Sequence, residues 1–186
     1  MEELWQLYDE QGRVLVGQGT TWSDAYSKGL LHGASHVWIW RKKDNVVEVL
    51  LQKRAKDKNT WPNLFDISAA GHIDLGEEPL TASIRETIEE IGLTVDEKEL
   101  KLAGVERRNL ISPNGRIENE FNWVYTLELD QEVDFILQEN EVTSLFWKKL
   151  SDFKDETLIR GISMYVPHGS QYFGLVISAI ELASTS

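Results

Sequence analysis

The alternation of apolar and polar residues along the chain predicts a mixed α/β fold. Runs in which apolar residues recur at every second position, or without interruption, predict β-strands, and apolar residues three and four apart predict helices. The predicted strands are 4–8, 13–16, 34–41, 46–53, 100–109, 117–129 and 144–148, and the predicted helices are 23–31, 79–91, 151–159 and 171–182. Turns at 9–12 and 112–115, each containing glycine, connect two pairs of these strands.

The helix predicted at 79–91 has two chemically different faces. Pro79 suits the first turn of a helix, and Gly92 suits its end. At about 100° per residue, the apolar residues fall on one stripe and the carboxylates fall on an arc nearly opposite it. The stripe consists of Leu80, Ile84, Ile88 and Ile91, and the arc consists of Glu86, Glu89 and Glu90. We therefore expect one side of this helix to face the core and the other to carry negative charge.

The three carboxylates repel one another unless a positive charge lies among them. Glu86 stands three residues before Glu89 and four before Glu90, and like charges at these spacings destabilise a helix by about 0.2–0.5 kcal/mol per pair. Arg85 offsets only part of this repulsion. Clustered carboxylate oxygens suit Mg²⁺ or Mn²⁺, which prefer oxygen ligands. The simpler alternative is a solvated acidic helix face, which is the usual meaning of a run of charge.

The spacing of particular residues in and before the helix decides between these alternatives. The residues are Gly71, Glu77, Arg85, Glu86, Glu89, Glu90 and Gly92, and a chance match at these fixed spacings has a probability on the order of one in a million. They match every strongly specified position of the Nudix box, so the chain resembles the Nudix hydrolase superfamily. The one departure is Thr87, where that family usually has an aliphatic residue.

The Nudix resemblance implies a fold, a reaction and residue roles. The fold is an α/β/α sandwich with a mixed central sheet and a loop-helix-loop box, and the reaction is hydrolysis of a diphosphate linked to another moiety. The implied metal ligands are Glu86, Glu89, Glu90 and the carbonyl of Gly71, with Glu120 as an added candidate, and the implied structural residues are Glu77, Arg85 and Gly92. A bound metal neutralises charge on the phosphates and lowers the pKa of a water. The candidates for the catalytic carboxylate are Glu86, Glu89 and Glu120.

A second resemblance reaches beyond the box, across residues 31–150. The segments 61–72 and 114–120 look like the isopentenyl-diphosphate isomerase branch of the same superfamily. This resemblance implies a metal held by His72, Glu118 and Glu120, with His32 as a further ligand, whereas another metal histidine of that branch finds only Ala25, or no counterpart. Each histidine also has a plainer interpretation: His72 as a hydrogen-bonded residue of a tight loop, and His32 as part of a loop.

The residue before Gly71 favours hydrolysis over isomerisation. The isomerases use a cysteine there to move protons on carbon, whereas this chain has Ala70 and no cysteine at any position. Alanine has no proton to give. We therefore expect a hydrolase that depends on Mg²⁺, or on Mn²⁺, and cleaves a nucleoside diphosphate derivative or a related organic diphosphate. The alternatives are an isomerase with another acid in place of the thiol, and a non-catalytic module that binds a diphosphate.

Basic residues at the end of the strand 46–53 are candidates for binding the diphosphate. They are Lys53 and Arg54, and the resemblance places an arginine of this kind near the substrate phosphates. A planar guanidinium can hold two phosphate oxygens at once. His72 is a third candidate for this contact. The alternative for Lys53 and Arg54 is an ordinary basic patch at a strand end.

Two later segments supply weaker candidates. Glu141 follows the strand 117–129 in a loop where Nudix enzymes often place a base. Tyr172 and Phe173 open the last helix, where they either line the substrate pocket or pack in the core. Core packing is the commoner role for such aromatic residues.

Composition agrees with one enzyme domain. The chain has 186 residues, of which 41% are hydrophobic and 27% are charged, enough for one core. We expect a single domain over 1–186, with an N-terminal extension at 1–30, a core at 31–150 and C-terminal helices at 151–186. A formal net charge of -12 argues against binding a nucleic acid polymer, and no apolar run approaches the roughly 20 residues that span a membrane. We expect a cytoplasmic protein without disulfides whose partner is a small-molecule diphosphate, with a homodimer as a possible assembly.

Overall fold

The computed structural model describes residues 3–112 and 114–185. Along these residues the chain forms nine strands, four α-helices and one π-helical turn. The strands are β1 (Trp5–Tyr8), β2 (Val14–Thr20), β3 (His32–Lys43), β4 (Val46–Arg54), β5 (Phe65–Asp66), β6 (Ala69–His72), β7 (Lys101–Ile111), β8 (Ile117–Glu128) and β9 (Val142–Lys149). The helices are α1 (Trp22–Lys28), α2 (Pro79–Ile91), α3 (Leu150–Lys154) and α4 (Ser170–Ser184), and the π-helical turn, Asp155–Ile159, follows α3.

Strand β3 lies at the centre of a mixed sheet. It runs parallel to β8, from the pair His32–Glu120 to the pair Trp40–Glu128, and antiparallel to β4 and β6. Beyond these neighbours, β4 pairs with β9 and β8 pairs with β7. The N-terminal hairpin of β1 and β2 joins the start of β3 through Leu7. The parallel pairing of β3 and β8 therefore makes His32 and Glu120 neighbours.

Helices cover both faces of the sheet. Residues alternate between the faces along β3, so Trp38 and Trp40 point to one side and Val37 and Ile39 to the other. The first pair packs in a cluster with side chains of α3 and α4, and the second packs in a separate cluster that includes Ile91 at the end of α2. The predicted α/β/α sandwich with a mixed central sheet is confirmed.

Helix α2 has the predicted bounds, but its buried face is rotated from the predicted stripe. Ile91 is fully buried, whereas Ile88 is 44% exposed, so the prediction that Ile88 faces the core is wrong. Thr87 is buried in its place, and its hydroxyl donates to the carbonyl of Ser83 at 2.7 Å. Glu90 is also buried rather than solvated. Polar groups beneath the helix form hydrogen bonds with Glu90. The buried face of α2 therefore lies closer to the carboxylates than the predicted stripe does.

Several shorter elements differ from the sequence prediction. The sequence pattern does not predict β5 or β6, which are two and four residues long and gain their strand conformation from pairing with β4 and β3. His32 begins β3 and His72 ends β6, so placing either histidine in a loop is wrong. The helix predicted at 151–159 divides into α3 and the π-helical turn. Pro113, in the turn predicted at 112–115, lies outside the described residues.

The helices of residues 3–112 and 114–185 are all too short or too polar to cross a bilayer. The single-domain organisation, with its extension, core and C-terminal helices, stays a prediction.

Candidate active site

A cleft of about 730 Å³ brings together most of the residues singled out in the sequence. One wall comes from α2 and from β6 before it, and another comes from the start of β8. The loop 55–64, the N-terminal hairpin and helix α1 close the remaining sides. The cleft therefore receives side chains from segments that are far apart in sequence.

Arg85 and Glu77 form a rigid support beneath the box loop. Arg85 donates from Nε and Nη2 to the two carboxylate oxygens of Glu77, at 3.0 and 2.8 Å, and Nη2 also donates to the carbonyl of His72 at 2.9 Å. Burial would raise the pKa of Glu77, but hydrogen bonds from Arg85 and from the backbone N–H of Asp74 lower it overall. Arg85 thus ties the middle of α2 to the end of β6 and to the loop that contains Glu77.

Gly71 leaves room for the carboxylate of Glu86. A Cβ atom at position 71 would lie only 2.0 Å from Cδ of Glu86, so any other residue would displace that side chain. Burial raises the pKa of Glu86 to about 7, although Arg85 donates to it at 2.6 Å and opposes the shift. An ionised Glu86 therefore needs more positive charge than Arg85 provides.

Glu90 lies deeper than Glu86, and Glu89 lies nearer the surface. Glu90 accepts the backbone N–H of Ala70 at 3.0 Å and a hydrogen bond from Gln52 at 3.3 Å. Burial raises its pKa and the nearby charge of Glu86 adds to that increase, although the Ala70 N–H partly opposes it. The side chain of Glu89 is 53% exposed and has one contact with Arg85, at 3.2 Å. The helix thus offers one buried carboxylate, Glu90, one largely buried carboxylate, Glu86, and one exposed carboxylate, Glu89.

His32, His72 and Glu120 form a compact group at the other side of the cleft. One ligand atom from each lies within 4.8 Å of the others, and no other group of three acidic or imidazole side chains in residues 3–112 and 114–185 does so. His32 Nε2 lies 3.5 Å from Glu120 Oε1, and His72 Nε2 lies 4.0 Å from the same oxygen. The parallel register of β3 and β8 and the antiparallel register of β3 and β6 produce this arrangement.

The protonation state of this group fits a cation. His32 Nδ1 donates to the carbonyl of Leu30 at 2.8 Å, which leaves a lone pair on Nε2, and that atom is fully buried without a hydrogen-bond partner. Burial lowers the pKa of His72, although Glu120 opposes the shift. Burial would raise the pKa of Glu120, but hydrogen bonds and positive charge from the two imidazoles, when they carry their protons, hold it well below its usual range, and a cation could replace those protons. Lone pairs that converge on a buried carboxylate are the donor set of a metal site.

Two aromatic residues that the sequence did not single out complete this group. Trp5 stacks face to face on His72, with ring centroids 3.5 Å apart. Tyr26 Oη lies 3.2 Å from His72 Nε2, which is a hydrogen-bonding distance. Nothing in the local pattern of either residue signals this role, because both contacts depend on how the N-terminal hairpin and α1 pack on the sheet.

Glu118 does not join His72 and Glu120. It accepts from Arg108 at 2.8 Å and from the indole N–H of Trp61 at 3.1 Å, and both carboxylate oxygens are used by these donors. The expectation from the isomerase resemblance that Glu118 shares a metal with His72 and Glu120 does not hold in this structure. Glu118 and Glu120 do lie on one face of β8, as their alternation predicts.

A chain of buried polar contacts links Arg54 to Arg108. Arg54 donates to Asp66 at 2.9 Å, His168 Nε2 lies 2.8 Å from the other oxygen of Asp66, and Arg108 lies 3.2 Å from His168 Nδ1. Burial would raise the pKa of Asp66, but His168 and Arg54 lower it strongly. The sequence did not single out Asp66, Arg108 or His168, which are ordinary residues in their local context.

The basic residues Lys53, Arg54 and Lys58 differ in whether they line the cleft. Arg54 lines the cleft, but Lys53 does not, because successive residues of a strand point to opposite faces. The position of Lys53 therefore gives no support to its predicted contact with the substrate, which stays a prediction. Lys58, in the loop after β4, lines the cleft instead and forms an ion pair with Glu141. Glu141 is thus already paired.

The aromatic residues at the start of α4 pack in the core, as the plainer interpretation predicts. Tyr172 and Phe173 are 1% and 6% exposed. The hydroxyl of Tyr172 nevertheless reaches the cleft through His36, whose Nδ1 lies 2.7 Å away.

The NUDIX domain family model matches residues 29–165, a span that contains α2, β6 and the strands on either side of them. This chain belongs to the Nudix family. The span begins just after α1 and ends within the segment before α4, so it contains β3 to β9 but not the N-terminal hairpin of β1 and β2. The Nudix resemblance that the box predicts is confirmed.

Relatives of this Nudix chain include hydrolases and isomerases. It is 33% identical over 146 residues to an uncharacterised Nudix hydrolase of Clostridium acetobutylicum, covering 77% of this chain and 68% of that protein. It is 32% identical over 171 residues to Nudix hydrolase 3 of Arabidopsis thaliana, covering 90% of this chain but only 22% of that protein. An isopentenyl-diphosphate Delta-isomerase of Aliivibrio fischeri is 32% identical over 159 residues, covering 84% of this chain and 85% of the isomerase.

Solved structures support the fold. The crystal structure of DR0079 from Deinococcus radiodurans superposes with a TM-score of 0.67 at 16% identity, and covers 97% of this chain and 98% of that one. At 16% identity this similarity shows the fold, and the relatives named above are Nudix hydrolases and an isopentenyl-diphosphate isomerase.

Proposed function

We propose that this Nudix protein hydrolyses the diphosphate linkage of a nucleoside diphosphate derivative or a related organic diphosphate, with Mg²⁺ as its metal. The observation that supports this most directly is the placement of Glu86, Glu89 and Glu90 in one cleft around Gly71. Glu90 is buried, Glu86 is largely buried, and both have raised pKa values, so a bound cation would favour their ionised forms. Hard carboxylate oxygens of this kind favour Mg²⁺ over softer ions.

In the proposed mechanism, Glu86, Glu90 and the carbonyl of Gly71 would hold the metal. The bound metal would neutralise phosphate charge and supply a water of lowered pKa. Glu89, the most exposed of the three carboxylates, accepts the proton of the attacking water. Arg85 and Glu77 keep the box loop fixed while the charge changes.

The remaining cleft residues bind the polyanionic substrate. Arg54 and Lys58 line the cleft and bring positive charge to it. When a diphosphate approaches, its oxygens compete with Glu141 for Lys58. His32, His72 and Glu120 would hold a second cation, and their imidazole groups favour Mn²⁺ or another transition ion over Mg²⁺.

A second candidate function is isomerisation of an organic diphosphate, which the His32, His72 and Glu120 group favours. Ala70 opposes it, because its methyl group cannot transfer a proton. A purely binding role is opposed by the complete set of box carboxylates. We propose a small molecule as the substrate and no nucleic acid polymer as a partner; a cytoplasmic location and a homodimer are parts of the same proposal.

The test is phosphate release from a panel of nucleoside diphosphate derivatives, dinucleotides and prenyl diphosphates, each with Mg²⁺ and with Mn²⁺. We expect release to require the metal, and to fall by at least about 100-fold in Glu89→Gln and in Glu90→Gln while both variants stay folded. Double-bond migration in a prenyl diphosphate without phosphate release would support the isomerase instead. Full activity of both variants would contradict the assignment of the metal to α2.

A further inference from the structure

His36 offers the cleft a hydrogen-bonding nitrogen that the described part of the protein does not use. The residue is 6% exposed and lines the cleft. Its Nδ1 lies 2.7 Å from Tyr172 Oη. Its Nε2 has no hydrogen bond to any residue in 3–112 or 114–185, yet it is not one of the fully enclosed unpartnered atoms. Nε2 is therefore the polar atom through which His36 meets the cleft.

The side chains behind His36 determine that Nε2 carries the proton. The indole N–H of Trp38 can only donate, and it donates to Tyr172 Oη at 2.9 Å. The described residues offer the hydroxyl proton of Tyr172 no acceptor other than His36 Nδ1, so Tyr172 donates to that nitrogen. A neutral imidazole that accepts at Nδ1 bears its hydrogen on Nε2. Burial and the neighbouring His168 lower the pKa of His36 to about 3, so the ring is neutral at ordinary pH.

A small residue and a polar residue lie beside the His36 ring. His36 and Ala70 are directly opposed in the antiparallel pair of β3 and β6, so their side chains share a face, and the methyl of Ala70 is small. The ring of His168 lies 5.8 Å from that of His36. His168 uses both of its nitrogens on Asp66 and Arg108, so it does not satisfy His36.

We propose that His36 donates from Nε2 to an oxygen or nitrogen on the organic part of the substrate, and so selects polar organic diphosphates over hydrocarbon diphosphates. A polar group of this kind is a sugar hydroxyl, a carbonyl or a ring nitrogen. A hydrocarbon placed against the same N–H would exclude water and leave the donor unsatisfied, which weakens binding by about 10-fold or more. This inference rests on the proposed function, because it names the substrate class of the same cleft.

Two variants separate the donor from the rest of the side chain. In His36→Gln, the side-chain amide NH₂ replaces Nε2 as a donor. In His36→Asn, the amide oxygen replaces Nδ1 as the acceptor for Tyr172, and the donor to the cleft is lost. We expect wild type to prefer UDP-glucose or ADP-ribose to geranyl diphosphate in kcat/KM. His36→Asn should lower kcat/KM for the polar compounds by about 10-fold, raise it for geranyl diphosphate because the unsatisfied donor is removed, and so reduce the preference. His36→Gln should keep most of the wild-type preference for the polar compounds over geranyl diphosphate.

The kinetic and binding results together test whether His36 donates to the substrate. An equal loss on polar and prenyl diphosphates in His36→Asn, or a wild-type preference for geranyl diphosphate, would overturn the inference while leaving hydrolysis intact. If wild type releases phosphate from none of these compounds, the proposed hydrolysis fails and calorimetric binding tests His36 separately. Binding of UDP-glucose or ADP-ribose that weakens in His36→Asn and recovers in His36→Gln supports the inference, and absent or unchanged binding overturns it. Thermal unfolding of both variants establishes that they are folded.

Discussion

The imidazole of His72 lies flat against the indole of Trp5, with ring centroids 3.5 Å apart and ring planes within 9° of each other. Trp5 is 4% exposed and belongs to β1, so the N-terminal hairpin supplies one wall of the group formed by His32, His72 and Glu120. The stack fixes the orientation of the His72 ring and leaves its edge directed at Glu120. A cation bound at this edge would lie close to the indole.

This proximity predicts that Mn²⁺ changes the fluorescence of Trp5. A paramagnetic ion held by His72 quenches the stacked indole, so titration with Mn²⁺ should lower tryptophan emission in a saturable way. Trp5→Phe should lose this component, and His72→Ala should lose it together with the bound ion. Trp22→Phe is the matched control, because Trp22 also lines the cleft but is 42% exposed. Quenching of equal size in Trp5→Phe would place the ion elsewhere.

Neighbouring lysines provide a second prediction. Lys58 lines the cleft and Lys53 does not. Lys58→Ala should raise KM for a diphosphate substrate by about 10-fold, because the phosphates lose a charged hydrogen bond, and Lys53→Ala should leave KM within about 2-fold. Steady-state kinetics at fixed ionic strength measure both values. Equal effects of the two substitutions would mean that the cleft is not where the diphosphate binds.

Local patterns predicted those parts of the site that lie on one element. The Pro79 and Gly92 signals fixed the bounds of α2, and the spacing of Glu86, Glu89 and Glu90 identified their helix. Alternation correctly placed Glu118 and Glu120 on one face of β8. Each of these relationships depends only on the geometry of a single helix or strand.

Relationships between elements were not predictable in the same way. The sequence gives no reason for Arg108 to pair with Glu118 rather than leave it for a metal, because that contact depends on the register of β7 against β8. The contact of His168 with Asp66 joins residues 102 positions apart. Ile88 was misassigned for a related reason: the buried Glu90 rotates α2, and only the partners Gln52 and Ala70 explain why a carboxylate can be buried there.

A third prediction concerns pH and stability without divalent ions. Burial raises the pKa of Glu86 from 4.5 to about 7, so the folded state binds this proton more tightly than the unfolded state does. The resulting stabilisation is complete below about pH 4.5 and is lost as pH rises through 7. Its size is about 3 kcal/mol at most, from the difference of 2.5 pKa units between 7 and 4.5.

Comparison with Glu86→Gln isolates this contribution from other titrating groups. In EDTA, the free energy of unfolding of wild type should fall relative to that of the variant as pH rises from 4.5 to 8. Denaturant unfolding at several pH values provides the measurement. Adding Mg²⁺ at pH 8 should restore stability in wild type more than in the variant, because only the ionised carboxylate binds the ion. A difference between the two proteins that does not vary with pH would show that Glu86 keeps an ordinary pKa.

The last prediction separates two carboxylates that stand two residues apart on the same face of β8. Glu118 neutralises Arg108, which is 8% exposed, so Glu118→Gln leaves a buried charge without its partner and should lower the free energy of unfolding by about 3 kcal/mol. Its Mn²⁺ affinity should stay within about 3-fold of wild type, because Glu118 contacts Arg108 and Trp61 rather than the two histidines. Glu120→Gln should instead weaken Mn²⁺ binding by at least about 10-fold, because His32 and His72 converge on that carboxylate. Chemical unfolding and Mn²⁺ calorimetry on both variants give the comparison. Loss of Mn²⁺ affinity in Glu118→Gln, measured under conditions where it is folded, would show that Glu118 leaves Arg108 to join the metal.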